Sequence, residues 1–330
     1  MADMISESAA RLFAGTARRA ATEAWSPDLW QEIEEAGYPL SLLSEEKGGF
    51  GLEGEEAFAA LRIAARHAAP VPLAETMVAN WLLAEAGLPL AEGPAAVDDG
   101  TGRIPWGRHL AVLVRVSAGA EPRLQRLALA DASWREGRNL VGEPRDELLS
   151  APGVAVEARL GVAAEVPQAL AALARAQQLA GAMESVLDMT VRYATERVQF
   201  GRPIAKFQAI QQYLAVMAEE TAAASAAAAM GALALSLART APARFRLLAG
   251  AAKLRAGEAV GKVADLAHQI HGAIGFSQEY PLHELTRRLW SWRDEDGRED
   301  DWAEILGQAV LAGRARGLWP QITHLQSDRF

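Results

Sequence analysis

There is no cysteine anywhere in these 330 residues. That excludes a disulfide framework, a thiolate nucleophile, and iron–sulfur or cysteine–zinc sites, and it fits a reducing, cytoplasmic setting. There is no excess of positive charge either: 33 basic residues face 42 acidic ones, giving a net charge of −9. Without a basic stripe, a nucleic-acid partner is not expected. The first residues, Met1 to Phe13, carry acids early and lack the apolar run of a secretory signal. No alternation of helix and strand with a glycine-rich turn is visible, so a dinucleotide-binding Rossmann unit is not expected. Thr221 to Ala238 holds no charge, but it is mostly alanine with Ser and Gly. Such residues gain little from hydrocarbon, so the segment reads as a packed bundle helix and no membrane partner is expected.

Half of the residues are apolar, and the length supports two or three structural units. Residues 1–95 read as an all-α domain, with helical periodicity around Trp30, Ile33 and Leu40, again from Glu55 to His67, and from Ala74 to Ala86. Gly93 to Pro105 is rich in Gly, Pro and Asp and reads as a linker. Residues 96–160 hold the strand candidates, His109–Val116 and Leu124–Leu129, in a short β unit. Residues 161–330 are helical almost throughout, with a break at Phe200–Pro203, and are expected to form a four-helix bundle.

Two stretches carry the functional information. The first is Glu196-Arg197-Val198-Gln199-Phe200-Gly201-Arg202-Pro203-Ile204-Ala205-Lys206-Phe207-Gln208, a helix end, a break and a new helix start. A guanidinium at such a break suits an anionic phosphate. The second is Gln269-Ile270-His271-Gly272-Ala273-Ile274-Gly275-Phe276. In this order and spacing they resemble the two C-terminal signatures of the acyl-CoA dehydrogenase family. Leu29 to Gly51 is similar to the family's early segment, so the resemblance runs along nearly the whole chain.

The resemblance implies helices, a small β unit and a helical bundle. It implies α,β-dehydrogenation of an acyl-CoA thioester with FAD as cofactor, a carboxylate as base and electron-transfer flavoprotein as acceptor. It also implies a homo- or hetero-oligomer, because Arg197 matches the arginine that contacts the flavin pyrophosphate of a neighbouring subunit. Phe200 and Gln208 match residues on its adenosine part, and Gln269 and Gly272 match a segment that approaches the same cofactor. Ala273 stands where relatives usually have a second glycine. His268, His271 and Asp265 have a spacing that could hold a metal, but the signature runs through them and no metal is expected.

The catalytic region departs from the family. Counting from Arg287, the position of the family's basic glutamate falls on Asp296, with Glu295 beside it. Aspartate is one methylene shorter, a loss of roughly 1.5 Å of reach, and a displacement of about 1 Å can cost on the order of 100-fold in rate. Six acids between Asp294 and Asp301 also suit a solvated loop. Some relatives carry the base earlier; the matching position is Ala171, which cannot serve. Arg298 replaces a flavin-binding threonine. In the middle unit Trp106 and Trp134 lack the flavin-holding context of relatives. The shortening is similar to that in subunits of heteromeric acyl-CoA dehydrogenases acting on steroid side chains. Three readings stay open: an enzyme with Asp296 as base, a non-catalytic partner subunit, and a flavin-free scaffold.

Overall fold

The computed structural model describes residues 2–14, 25–117, 121–151 and 156–312. Four helices come first: α1 (Ala2–Ala14), α2 (Pro27–Glu35), α3 (Ala59–Arg66) and α4 (Leu73–Glu85). Helix α2 starts where the sequence dictates. The Ser26 hydroxyl accepts the Leu29 N–H at 3.2 Å, Pro27 opens the first turn and Asp28 faces the positive end of the dipole. Helix α4 is apolar on nearly every face, and every residue from Leu73 to Leu83 is buried. It is therefore wrapped on all sides and forms the floor on which the β unit and the bundle meet.

Seven strands follow: β1 (Ala95–Asp98), β2 (Ile104–Pro105), β3 (Val112–Val116), β4 (Arg123–Ala128), β5 (Ser133–Arg135), β6 (Arg145–Ser150) and β7 (Val156–Arg159). One sheet has the order β1-β3-β4-β7, with β1 parallel to β3 and the other pairs antiparallel. A smaller antiparallel sheet has the order β2-β6-β5. The stretch read as a linker, Gly93 to Pro105, contributes β1 and β2 instead. Ala95 and Ala96 are fully buried on opposite faces of β1, one in each hydrophobic core, which outweighs the turn-forming composition around them.

The remaining described residues are mainly helical: α5 (Val166–Glu196), a hairpin of β8 (Val198–Gln199) and β9 (Arg202–Pro203), α6 (Gln208–Leu233), α7 (Leu237–Thr240), α8 (Pro242–His271), α9 (Leu282–Arg293) and α10 (Glu299–Ala312). Helices α5, α6, α8 and α9 pack as a four-helix bundle and α10 lies on α8. Small residues set the approach. A Cβ on Gly181 of α5 would fall 2.4 Å from the Arg62 carbonyl oxygen of α3, so only glycine allows this contact. One hydrophobic core joins the N-terminal helices to the bundle, and a second, smaller one lies under β2, β3 and β4 around Trp106. The molecule is mainly α with a small β unit, the fold class that the sequence predicts.

Candidate functional site

Arg175 on α5 is 4% exposed and gathers three acids from two other parts of the chain. Its Nε donates to Asp296 Oδ2 at 2.9 Å and its Nη2 to Glu75 Oε1 at 3.0 Å; Glu295 Oε2 also lies 3.0 Å from Nη2. Nη1 donates to Gln178 at 2.7 Å. Glu295 also receives both arms of Arg145 from β6, at 2.9 and 2.7 Å, a bidentate pairing of the strong kind. Burial alone would raise the Glu295 pKa, but Arg145 and Arg175 pull it down to about 2. Glu75 goes the other way: burial raises its pKa against the pull of Arg175 and Arg145. Its Oε2 is buried without a partner among the described residues.

The same network fastens the β unit to the bundle. Glu143 accepts from Arg288 Nε at 3.2 Å and from the Trp292 indole at 3.1 Å, both on α9. Asn139 donates to Glu295 at 3.2 Å, and the Val141 N–H donates to Ser291 Oγ at 3.2 Å. These contacts tie the β unit directly to α9 and to the loop after it.

The loop from Asp294 to Arg298 is tied down from below. Lys253, 1% exposed, donates to the carbonyls of Arg293 and Gly297, each at 2.7 Å. Burial lowers its pKa to about 8, against the opposing pull of Asp296 and Glu299. Trp302 Nε1 donates to the Asp296 carbonyl at 3.0 Å. Asp296 takes φ +58° and Gly297 φ +93°; aspartate tolerates this left-handed conformation better than most residues. The acidic run is thus divided. Glu295 and Asp296 turn inward, whereas Asp294 and Asp300 stay exposed.

The five residues matched to a cofactor lie elsewhere. Arg197 caps α5, and 22 positions separate it from Arg175, about 33 Å along the helix at 1.5 Å per residue. Arg197, Gln208, Gln269 and Gly272 are exposed and Phe200 is 92% exposed. Phe200, at φ +51°, sits at the hairpin tip and meets Phe207 edge-on at 6.1 Å, next to Gln208. The C-termini of α5 and α8 are joined by Tyr193, whose ring stacks on His271 at 4.3 Å. Gln269 and Gly272 border a groove of about 390 Å³ with Asp265, His268, Phe276 and Trp290. His268 Nε2 lies 2.9 Å from Thr286 Oγ1 and its ring stacks on Phe276 at 4.1 Å, while His271 Nδ1 bonds the Ala267 carbonyl at 2.8 Å. Both imidazoles are engaged in packing, and burial lowers both pKa values.

Residues 167–311 match the model of the acyl-CoA dehydrogenase C-terminal domain. Acyl-CoA dehydrogenase IpdE2 of Mycobacterium tuberculosis is 30% identical over 307 residues, covering 86% of this chain and 89% of that one. The chain belongs to the acyl-CoA dehydrogenase family. Members of this family are oxidoreductases acting on the CH–CH group of acyl-CoA. Among solved structures, a steroid acyl-CoA dehydrogenase, Tcur3481–Tcur3483 (G363A variant), superposes with a TM-score of 0.81 at 26% identity, covering 95% of this chain and 98% of that one. The ChsE4–ChsE5 complex of Mycobacterium tuberculosis shares the fold, with a TM-score of 0.80 at 19% identity over 94% of this chain and 97% of that one.

In this member of the acyl-CoA dehydrogenase family the matched residues lie open at the surface. Among the described residues no carboxylate pairs with Arg197, and no hydrogen bond occupies the amides of Gln208 and Gln269. Gly272, at φ +64°, has no atom within 4 Å of where a Cβ would stand, so its backbone is open to close approach. The sequence reading missed Arg175, Glu75, Arg145 and Lys253. A signal existed for two of them: Arg175 is the sole charge between Val166 and Met183, and Glu75 the sole charge between Ala68 and Ala84.

Proposed function

We propose that this chain is the supporting subunit of a heteromeric acyl-CoA dehydrogenase. It lends its Arg197, Phe200, Gln208, Gln269 and Gly272 face to an FAD held mainly by a neighbouring chain, and the neighbour supplies the base that removes the α proton. When bound there, FAD would accept the β hydride of the acyl-CoA and pass its electrons to an electron-transfer flavoprotein. This chain's own part is positional. The Arg197 guanidinium offsets phosphate charge, the two glutamine amides hydrogen-bond, and Phe200 offers an aromatic surface.

The observation that carries this reading is the set of carboxylates gathered on the buried Arg175. A base must reach the α proton with a free oxygen; Glu295 has both oxygens held by Arg145 and Arg175, and Asp296 is tied through Oδ2 to the Arg175 guanidinium, an ion pair that taking up a proton would break. The span of about 33 Å between Arg175 and Arg197 supports the same division, since one chain's surface face and inner site are too far apart to converge on one reacting centre. The two-component names of the similar steroid acyl-CoA dehydrogenase and of the ChsE4–ChsE5 complex agree with a heteromer. A cytoplasmic location accompanies this reading. The rival, in which Asp296 is the base of this chain, is favoured by its place at the family's base position.

Expression of the chain alone and together with a candidate partner acyl-CoA dehydrogenase chain from the same source tests the proposal. Flavin absorbance and FAD content should be absent from the chain alone and present in the co-purified complex. Stoichiometric FAD in the chain alone would overturn it.

A further inference from the structure

We propose that Tyr193 is a positioning residue for the flavin face: its stack on His271 fixes the Arg197 end of α5 relative to the Gln269–Gly272 end of α8, so that the two signatures act as one surface. The inference rests on the flavin-sharing reading above and adds a residue outside both signatures.

The geometry is specific. Tyr193 lies one turn before Arg197, and its carbonyl accepts the Arg197 N–H at 2.8 Å, the bond that closes α5. The Arg197 carbonyl in turn accepts the Ile204 N–H at 2.8 Å, which closes the hairpin that presents Phe200. On the other side His271 directly precedes Gly272 and lies two residues after Gln269. The two rings stack at 4.3 Å with 22° between their planes, and the Tyr193 hydroxyl donates to the His271 carbonyl at 3.3 Å. Tyr280 closes the cluster, 4.9 Å from His271 and edge-on to Tyr193 at 5.8 Å.

His271 is 96% buried by its 4% exposure, its Nδ1 is occupied by the Ala267 carbonyl and its Nε2 has no partner among the described residues. Its ring is thus anchored to its own helix through Nδ1 and offers a flat face to Tyr193. The exposed groups that face a ligand, Arg197 and Gln269, have no bond to each other. Among the described residues the Tyr193–His271 pair is the contact that joins the last turn of α5 to the last turn of α8 by both stacking and a hydrogen bond. A guanidinium on a frayed helix end loses its alignment with the second half of the site, and alignment decides how much a charge-assisted contact contributes.

The test measures FAD affinity of the complex co-purified with the neighbouring acyl-CoA dehydrogenase chain, by flavin fluorescence, alongside the thermal midpoint of the FAD-stripped complex. Tyr193→Leu should raise the FAD Kd about three- to tenfold, the range expected for loss of an aromatic pair. Tyr193→Phe, which keeps the stack, should restore affinity to within about twofold. In the Arg197→Ala background Tyr193→Leu should add almost nothing, because its effect runs through Arg197. Additive effects, or an unchanged Kd in Tyr193→Leu while Arg197→Ala weakens FAD, would overturn the inference and leave the flavin-sharing reading in place. No effect of Arg197→Ala would overturn both. Where Tyr193→Leu fails to assemble, His271→Ala removes the same stack from the other side and must raise the Kd by the same margin.

Discussion

Arg175 Nε donates to Asp296 Oδ2 at 2.9 Å from a side chain that is 4% exposed, so the residue at the family's base position is held by a buried guanidinium. Asp296→Asn should therefore leave acyl-CoA-dependent flavin reduction in the co-expressed complex within about threefold, while the melting temperature drops slightly. The amide oxygen can still accept from Arg175, so about 1 kcal/mol of stability is at stake. Stopped-flow reduction and thermal melts check both. A loss on the order of 100-fold in reduction rate with FAD retained would place the base on this chain.

Arg175→Met should be far more damaging. It leaves Glu75, Glu295 and Asp296 crowded together without their shared cation, and breaking a buried ion pair from one side costs about 3–5 kcal/mol. Denaturant unfolding of the isolated chain should show a loss of that size, partly recovered in Arg175→Met/Glu75→Gln, because the double variant removes one of the stranded charges.

How much of this was legible beforehand depends on the range of the interaction. The helices, their breaks and the strands around Val112 and Leu124 follow from local apolar periodicity and turn residues, and the Arg197 and Gln269 segments are recognisable because each is contiguous. The charge network was hidden because its members are far apart: Glu75 and Arg175 are separated by 100 positions, Arg145 and Glu295 by 150. An acidic run such as Asp294–Asp301 reads as solvated unless its cations are known, and those sit singly in apolar helices and on a strand.

Acid should loosen the Glu295 ion pairs in a defined window. The Glu295 pKa is about 2 in the folded chain against 4.5 as its ordinary value. A depressed carboxylate stabilises the fold fully above the unfolded value, and that contribution is lost as pH falls from about 4.5 towards 2. The shift corresponds to something on the order of 3 kcal/mol. Unfolding free energy measured from pH 5 to pH 2.5 should fall more steeply in the wild type than in Glu295→Gln, which is weaker at pH 5 and flatter below it. Parallel curves would mean that other carboxylates govern acid unfolding.

Arg197→Ala should weaken FAD retention in the complex by roughly 1.5–3 kcal/mol, the range for a charge-assisted contact, or about 10- to 150-fold in Kd. The isolated chain should melt at the same temperature, since Arg197 is exposed and among the described residues no ion pair holds it. Raising the salt concentration should weaken wild-type binding more than that of the variant, because an exposed cation is screened. Unchanged FAD content would make Arg197 an ordinary surface residue.

The last expectation concerns assembly. The helical stretch Gln208–Thr240 includes a window of mean hydropathy 1.6 of which 39% is buried in the single chain. By length and composition it could cross a membrane, but it packs against α5 and α8 on one side. Its outer side carries Val216, Ala222, Ala226 and Met230, with Val216 38% and Met230 40% exposed. Small residues at this spacing allow another helix to approach closely, and the apolar area left open gains stability only when covered. The protein should therefore be a dimer or tetramer by light scattering at micromolar concentration, alone or with its neighbour. Ala226→Arg, which puts a long cation on that side without touching the bundle core, should lower the oligomeric mass while leaving the helical circular dichroism unchanged. If the mass is unchanged, the subunits meet through another face, and α6 is not the helix that carries the interface.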